Sequence, residues 1–296
     1  MVPSFVQTLG SDPGSVSPEQ IDEIRAEVAE ALAMAETVVM ANAIDNEVAV
    51  LDMIRYMRLA DPFDGEARSA VILRAALEKD PANDRYLFEL ARSQFAQQEF
   101  DEALAVAESL ADSESKSVSL RARTQWGYRI LAAKLAFDIE FEIWFTKEGL
   151  EREASVKAMR EAEAKLRSLV GADDENPLLM EVEAKVAVAD QDWSQASRLL
   201  ERVITMKEPE SDLLRLTALC LERNGQIGLA VERYEEAIRA EPNDLRNYIG
   251  LAELNGRMRT PEKGIAILER LPRRIIEENE AASRVYQSLQ ILAGGV

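Results

Sequence analysis

The side chains able to do chemistry in this sequence are mostly carboxylates and the cationic groups of Arg and Lys. The 296 residues include 54 Asp and Glu against 35 Lys and Arg, so the formal charge is −19. Histidine is absent, which removes the commonest general base and the commonest metal ligand. The only cysteine, Cys220, lies in an apolar context and is expected to be a buried spectator. We therefore expect neither a metal nor a cofactor.

Carboxylates alone can support one class of reaction, because paired Asp or Glu side chains hydrolyse glycosidic bonds in some α-helical enzymes. Acid pairs occur here at Asp173–Asp174 and Glu277–Glu278, although runs of this kind are usually solvated faces or loops. The sequence has no Gly-rich phosphate loop, CxxC pair, GxSxG motif or metal-ligand cluster. A non-enzymatic protein is expected, with a carboxylate-based hydrolase as the alternative.

The bulk properties restrict partners and location. A net charge of −19 would repel a phosphate backbone, so no nucleic-acid partner is expected. No apolar run approaches the roughly 20 residues that span a bilayer, so we expect no direct membrane insertion. The N-terminal stretch MVPSFVQTLGSDPGSV has neither the basic nor the apolar region of a secretory signal. We expect a cytoplasmic protein, or a periplasmic one if a signal peptide has been removed, and the frequent Ala, Arg and Glu suggest a bacterial source.

Small and apolar residues recur at fixed offsets along most of the chain. In LAVERYEEAIRAEPND, Ala230, Tyr234, Ala237 and Pro242 stand at offsets 0, 4, 7 and 12. With one interruption, the first of these positions returns every 34 residues, and a second amphipathic segment with its own small residue precedes it. The small residues are Ser69, Ala103, Ala196, Ala230 and Gly264 in the second segment, and Ala91, Ala184, Ala218 and Ala252 in the first.

This pattern resembles the tetratricopeptide repeat, a 34-residue helix–turn–helix with small residues where its helices A and B touch. The resemblance covers roughly residues 50–278 and implies an all-α, right-handed α-solenoid. About six repeats are predicted, at 50–83, 84–117, 118–176, 177–210, 211–244 and 245–278. The early Trp of the family is replaced by Met, Leu or Tyr, which changes side-chain volume at a packing position and leaves the predicted fold unchanged.

The two ends of the array have their own predicted elements. Residues 1–16, rich in Ser, Gly and Pro, are expected to form a flexible tail. Residues 17–49 are interpreted as an acidic helical cap, with a capping box at Ser17, Pro18 and Gln20 and a helix that ends near Thr37. This acidic segment is also a candidate competitor for the binding groove. Residues 279–296 are predicted to form a C-terminal capping helix, because solenoids need capped ends.

The third repeat is 59 residues long, 25 more than the period, and contains the alternating stretch FDIEFEIWF. A lone strand would lack a partner, so we predict an elongated helical hairpin, with one helix from about Ser119 to Lys147 and another from Leu150 to Val170. On the first helix, one face carries Phe137, Phe141, Trp144 and Phe145. These rings are a candidate second interface, for a partner or for self-assembly of the protein into a homo-oligomer. The alternative is that the second arm of the hairpin and adjacent loops cover them.

In the family that the sequence resembles, the A-helices line a concave groove that binds peptides. The groove-facing positions 2, 5, 9 and 12 of each repeat are markedly basic and partly aromatic here, with four acids among them towards the C-terminus. We predict a non-enzymatic interaction scaffold or adaptor that binds an acidic peptide or a C-terminal carboxylate. The alternative is that these cations pair with acids of the neighbouring repeat. The predicted groove residues are Arg58, Arg85, Phe88, Arg92, Phe95, Trp126, Arg129, Lys185, Arg215 and Arg246, and the acids are Glu181, Asp212, Glu222 and Glu253.

Overall fold

The computed structural model describes residues 18–60, 64–114, 127–171 and 175–294, with side chains from residue 26 onward. All regular elements in these ranges are α-helices, and the stretch FDIEFEIWF is helical rather than extended. The chain divides into two compact units, residues 1–143 and 144–296. The helices are α1 Pro18–Asn42, α2 Glu47–Ala60, α3 Gly65–Lys79, α4 Asp84–Ala96, α5 Phe100–Asp112, α6 Tyr128–Thr146, α7 Gly149–Val170, α8 Pro177–Ala189, α9 Trp193–Met206, α10 Ser211–Arg223, α11 Ile227–Ala240, α12 Leu245–Arg257, α13 Pro261–Leu268, α14 Arg273–Glu278 and α15 Glu280–Gly294.

The first unit is built from helices α1 to α5 and most of α6. Each of α1 to α4 packs against the next helix along the chain. Its core has two clusters. One is centred on α2 and α3, around Ile54, Met57 and Leu73, and the other joins α4 and α5 to α6 at Ile139. Leu32 and Val39 of α1 cover the first cluster from outside the repeats.

The second unit holds the end of α6 and helices α7 to α15. Successive helices from α7 to α13 pack in pairs, and α15 packs back onto α12, α13 and α14. The C-terminal core centres on Tyr234, Leu251 and Leu268, and Leu289 closes it from α15. A β-carbon on Gly264 would lie 2.8 Å from the carbonyl oxygen of Ala252, which explains the absence of a side chain at this helix contact.

The positions identified by the 34-residue register are buried in the structure. All nine small residues identified from the sequence are buried, and so are the second and third positions of the pattern in the regular repeats. Helices with small residues at their contact can approach closely and interdigitate, which gives the dense packing typical of protein interiors. The buried second and third positions are Leu73, Ala76, Ala107, Leu110, Leu200, Val203, Tyr234, Ala237, Leu268 and Leu271.

The N-cap residues of the helices and the turns between the helices also recur from repeat to repeat. The side chains of Asn83, Asn176 and Asp244 accept hydrogen bonds from the first backbone N–H groups of α4, α8 and α12, the first helices of three repeats. In four repeats, the turn to the second helix contains one residue with positive φ. These residues are Gln98 at 62°, Gln191 at 61°, Gly225 at 77° and Arg259 at 58°.

Two helix boundaries differ from the prediction. α1 continues to Asn42, because the hydroxyl of Thr37 donates to the carbonyl of Ala33 (2.8 Å) and is satisfied inside the helix. α6 begins at Tyr128 instead of Ser119, since Gly127 lies outside the helix and its carbonyl accepts the N–H of Leu131 (3.1 Å), as an N-cap residue does.

The third repeat has long helices, as predicted. α6 has 19 residues and α7 has 22, against 13 or 14 in each of α8 to α12. The predicted N-terminal tail, residue Ser17 of the capping box and residues 119–126 of the predicted long helix lie outside the described residues.

Candidate functional site

A cleft of about 370 Å³ lies in the first unit, where the A-helices of two repeats, α2 and α4, meet the start of α6. Positions 2, 5 and 9 of both repeats line it, and the buried side chains of Leu51 and Ile54 form its apolar floor. Four of its ten lining residues are arginines and one is an acid, in a chain of net charge −19. The lining residues are Leu51, Ile54, Arg55, Arg58, Leu59, Arg85, Phe88, Glu89, Arg92 and Tyr128.

Arg58 is the most heavily bonded arginine of the cleft. Its guanidinium donates to Glu66 of α3 (2.8 Å) and to Glu89 of α4 (2.6 Å), and also to the hydroxyl of Ser93 (2.9 Å). Ser93, which is fully buried, donates in turn to Glu66 (2.7 Å). With only 19% of its side chain exposed, Arg58 ties three helices together and has few donors left for a ligand.

Arg85 is held at one end of the cleft by Glu47, the first residue of α2, at 2.7 Å. The neighbouring Tyr86 is buried, and burial raises the pKa of its phenol to about 12, with Glu47 and Asp80 adding to the shift. Tyr86 is therefore neutral at physiological pH, and the charge at this end of the cleft is set by the Arg85–Glu47 pair.

Arg55 and Arg92 are the two cleft arginines open to a ligand. Half of the Arg92 side chain is exposed (51%), and its contact to Glu89 is long, at 3.4 Å. Arg55 is exposed and forms no ion pair with any residue in the described part of the chain. A guanidinium group can bind a carboxylate through two parallel hydrogen bonds, so these two residues can recognise an acidic group.

Apolar and aromatic groups accompany these cations. Phe88, which is half-buried, packs against the buried Tyr128 with ring centroids 5.8 Å apart. Leu59 lies at the rim of the cleft with 70% of its surface exposed. The cleft therefore offers an apolar anchor point beside free positive charge, a combination found at the centres of protein interfaces.

The structure brings together four of the ten predicted groove residues, namely Arg58, Arg85, Phe88 and Arg92. Of the remaining first-unit residues, Phe95 packs into the core cluster of α4 and α5, with its ring 6.1 Å from Phe100. The Nε of Arg129 donates to the carbonyl of Ala111 at the end of α5 (3.2 Å). Trp126 lies outside the described residues.

The second unit holds the other three predicted groove cations, and each is paired with an acid. Arg215 and Arg246 both bind Asp212, at 2.8 and 2.9 Å. Lys185 binds Glu181 at 3.1 Å. Of these three pairs, Arg246–Asp212 joins neighbouring repeats, as in the alternative that the sequence left open, whereas the other two lie within one helix.

The predicted second interface is largely covered by the chain itself. Phe137, Phe141 and Trp144 are all buried, and Trp144 also receives the guanidinium of Arg152, 4.5 Å above its ring. Only Phe145 of the four rings is exposed, at 45%. For the first three rings the structure therefore agrees with the alternative of coverage within the chain, and an uncovered aromatic face on α6 is limited to Phe145.

Sequence reasoning missed six of the ten cleft residues, among them Leu51 and Ile54, which stand at the groove-facing positions 2 and 5. Arg55 and Glu89 occupy position 6 of their repeats and Leu59 position 10, next to the positions taken as groove-facing. Tyr128 stands at position 11 of its repeat, next to the groove-facing position 12. Arg55 could have been predicted from the sequence, because it lies one helical turn before Leu59 and on the same side of the helix as the predicted Arg58.

The acidic N-terminal segment reaches the cleft only at its end, among the residues whose side chains are described. Glu36 of α1 forms a short ion pair with Arg68 of α3, and Glu47 binds Arg85. Of the acid pairs considered for hydrolysis, Glu277 and Glu278 are exposed and paired with Arg273 and Arg274, at 2.8 and 2.7 Å. Asp173 and Asp174 lie outside the described residues.

Within the described ranges, no helix is long and apolar enough to cross a membrane. In the same ranges, no group of three or more acidic or cysteine side chains has an arrangement that could hold a metal ion.

Comparisons with known proteins place the fold. A family model described as tetratricopeptide repeat matches residues 65–117 and 182–244. No curated protein matches the sequence. In the crystal structure of the APC/C hetero-tetramer Cut9–Hcn1, one chain is similar to 96% of this protein, with 12% identity and a TM-score of 0.62, and this protein covers 50% of that chain. Yeast Tom70 is similar over 93% of this protein, with 16% identity and a TM-score of 0.51, and 61% of its chain is covered.

The protein thus spans about half to three fifths of these two structures, and at such low identities the likeness concerns the fold alone. Tetratricopeptide repeats are generally non-enzymatic scaffolds that bind other proteins, so the fold supports protein partners in general. The repeat register, the helix pairs and the matched family model agree: residues 65–117 and 182–244 are similar to tetratricopeptide repeats, and the chain has an all-α solenoid fold.

Proposed function

We propose that this protein is a non-enzymatic scaffold or adaptor that binds an acidic peptide, or a protein segment ending in a carboxylate, in the cleft between α2 and α4. The observation that carries the proposal is the excess of four arginines over one acid in a cleft of about 370 Å³, in a chain of net charge −19. Acidic surfaces elsewhere would repel such a segment, so the cleft is where its affinity would concentrate.

Within the cleft the arginines divide by role. Arg55 and Arg92 are the proposed ligands for carboxylates, because they are exposed and weakly engaged. Arg58 positions the walls of the cleft through its bonds to Glu66 and Glu89. An aliphatic or aromatic side chain of the bound segment would contact Phe88 and Leu59, and the charged and apolar contacts together would define a preference for acidic segments with apolar residues.

A binding experiment with matched peptides tests the proposal. An acidic peptide containing Leu and Phe, its Lys-substituted counterpart and its C-terminally amidated form are titrated against the protein by fluorescence anisotropy. We expect the acidic peptide to bind about tenfold or more tightly than the basic one, and to lose affinity as the salt concentration rises. The amidated form separates recognition of a terminal carboxylate from recognition of acidic side chains.

Charge-reversal variants locate the site. Arg92→Glu and Arg55→Glu should each weaken binding of the acidic peptide by about tenfold. Arg74→Glu is the matched control, since Arg74 lies on α3 outside the cleft and is 52% exposed. Equal binding of acidic and basic peptides, or unchanged affinity in Arg92→Glu, would overturn the proposal.

A further inference from the structure

The tip between α6 and α7 is an exposed segment that the cleft does not use. All ten residues from Phe145 to Ala154 are exposed, including Leu150 at 83% and Phe145 at 45%. Carboxylates are favoured at the N-terminus of a helix, which accounts for the acids near the start of α7. It does not account for the exposure of Leu150 or for that of Phe145, whose ring lies 6.2 Å from the ring of Trp144.

The charges of this tip are only partly neutralised. Arg152 is turned back onto the ring of Trp144, at 4.5 Å, and Lys147 forms a long contact with Glu151, at 3.8 Å. Glu148 and Glu153 form no ion pair with any residue that the structure describes. Glu153 lies three residues after Leu150 on α7, so the two share one face of the helix.

The tip and the cleft therefore complement each other. The tip offers two unpaired carboxylates beside two exposed apolar side chains, and the cleft offers two available guanidinium groups, on Arg55 and Arg92, beside Leu59 and Phe88. We propose that the tip of one molecule, residues 145–154, docks in the α2–α4 cleft of a second copy. This proposal rests on the proposed function, because it takes the tip to be an acidic, apolar segment of the kind that the cleft would bind.

The two surfaces in this contact are different, so the association is head-to-tail. Such a contact leaves a free tip on one molecule and a free cleft on the other, and it extends into rings or open chains. It also makes self-association and peptide binding compete for one cleft, so an acidic peptide would dissociate the assembly.

Two loss-of-contact variants and their mixture test the proposal. The tip variant carries Phe145→Ser and Leu150→Ser, and the cleft variant carries Arg92→Glu. By light scattering after size exclusion, the wild-type protein should show an average mass that rises with concentration, and each variant should associate at least about tenfold more weakly. An equimolar mixture of the two variants should form a 1:1 dimer, because it retains one intact tip and one intact cleft.

Controls separate this proposal from the proposed function. Ile291→Ser with Leu292→Ser removes an exposed apolar pair of the same unit, on α15, and should leave self-association unchanged. Circular dichroism and thermal unfolding confirm that the variants are folded. The tip variant should still bind the acidic peptide, since its cleft is intact.

Three results would overturn the inference: a wild-type protein that stays monomeric up to about 100 μM while it binds the peptide, a tip variant that associates like the wild type, or a mixture that forms no dimer. The first of these would leave the proposed function standing. Loss of peptide binding with self-association intact would instead overturn the proposed function.

Discussion

The A-helices of the two units use the same repeat position differently. Position 2 is Arg85 in the first unit and Asp212 in the second. Asp212 binds both Arg215 and Arg246, so these cations neutralise an acid of their own face. In the first unit no acid occupies that position on α2 or α4, and the contact of Arg92 to Glu89 is long, at 3.4 Å. A single acid at position 2 of α10 therefore engages two cations of the second unit.

Ion pairs between neighbouring repeats are common in the second unit. Arg233 binds Glu201, Arg257 binds Glu222 and Arg270 binds Glu235, and these partners lie 32, 35 and 35 residues apart in sequence. These pairs are partly buried, and each of them neutralises a cation that the surface would otherwise present. The four predictions that follow test this difference between the units, from the largest expected effect to the smallest.

Arg58→Met tests whether Arg58 stabilises the fold, in contrast to Arg92, which is available to a ligand. Removing its guanidinium leaves Glu66, Glu89 and Ser93 without their shared donor, and we expect a loss of about 2–3 kcal/mol in the free energy of unfolding. Arg92→Met, the matched control, should cost less than about 0.5 kcal/mol. Urea denaturation measures both, and equal losses would contradict the division of roles.

The turns with positive φ allow opposite substitutions in the two units. Gly225→Gln places a β-carbon at φ 77° and should cost about 1 kcal/mol, whereas Gln98→Gly, at φ 62°, should gain about 0.5–1 kcal/mol. The free energy of unfolding by urea measures both changes. A stabilising effect of Gly225→Gln would show that these turns relax without strain.

Asp244 should make the second unit sensitive to acid. Burial alone would raise the pKa of this carboxyl, but its hydrogen bond and charge interaction with Arg246 hold the pKa below the ordinary 3.8. Its contribution to stability is therefore present above about pH 4 and is lost as the pH falls through the lowered pKa.

Asp244→Asn keeps an acceptor for the cap of α12 and removes the charge. The variant should be about 1 kcal/mol less stable than the wild type at pH 7, with a smaller difference at pH 3. Burial, Asp212 and Asp244 raise the pKa of the neighbouring Glu241, so the variant removes one of these causes, and this relief offsets part of the loss at pH 7. A difference in urea midpoint that does not change with pH would contradict the assignment.

Asp212→Ala should make cations of the second unit available to an acidic peptide, as Arg55 and Arg92 are in the first unit. The substitution removes the ion pair between Arg215 and Asp212 and the one between Arg246 and Asp212, while Arg246 keeps its ion pair with Asp244. In a background with Arg92→Glu, acidic-peptide affinity should rise roughly twofold to fivefold, as expected from an exposed pair worth about 0.5–1 kcal/mol. Asp101→Ala removes an exposed acid on α5 as the control, and an equal gain there would point to net charge alone.

Much of the architecture was predictable because each repeat buries side chains at equivalent positions, so the same residue pattern recurs along the chain. The 34-residue spacing identified the buried small residues, such as Ala91 and Ala230, and the helical state of FDIEFEIWF followed from the lack of a partner strand. The start of α6 was mistaken because Gly127 caps the helix, and hydrophobic periodicity does not locate a cap.

The sequence by itself determined that the chain is all-α, which residues lie at the helix contacts and where the long third repeat interrupts the register. These depend on local periodicity and side-chain size, which a sequence shows directly. Only the tertiary structure decided which cations are free and which aromatic rings are covered. Arg246 and Asp212 are 34 residues apart, and whether such groups meet depends on side-chain geometry across a repeat. The burial of Phe137 and the exposure of Leu150 likewise depend on which other segments pack over each residue.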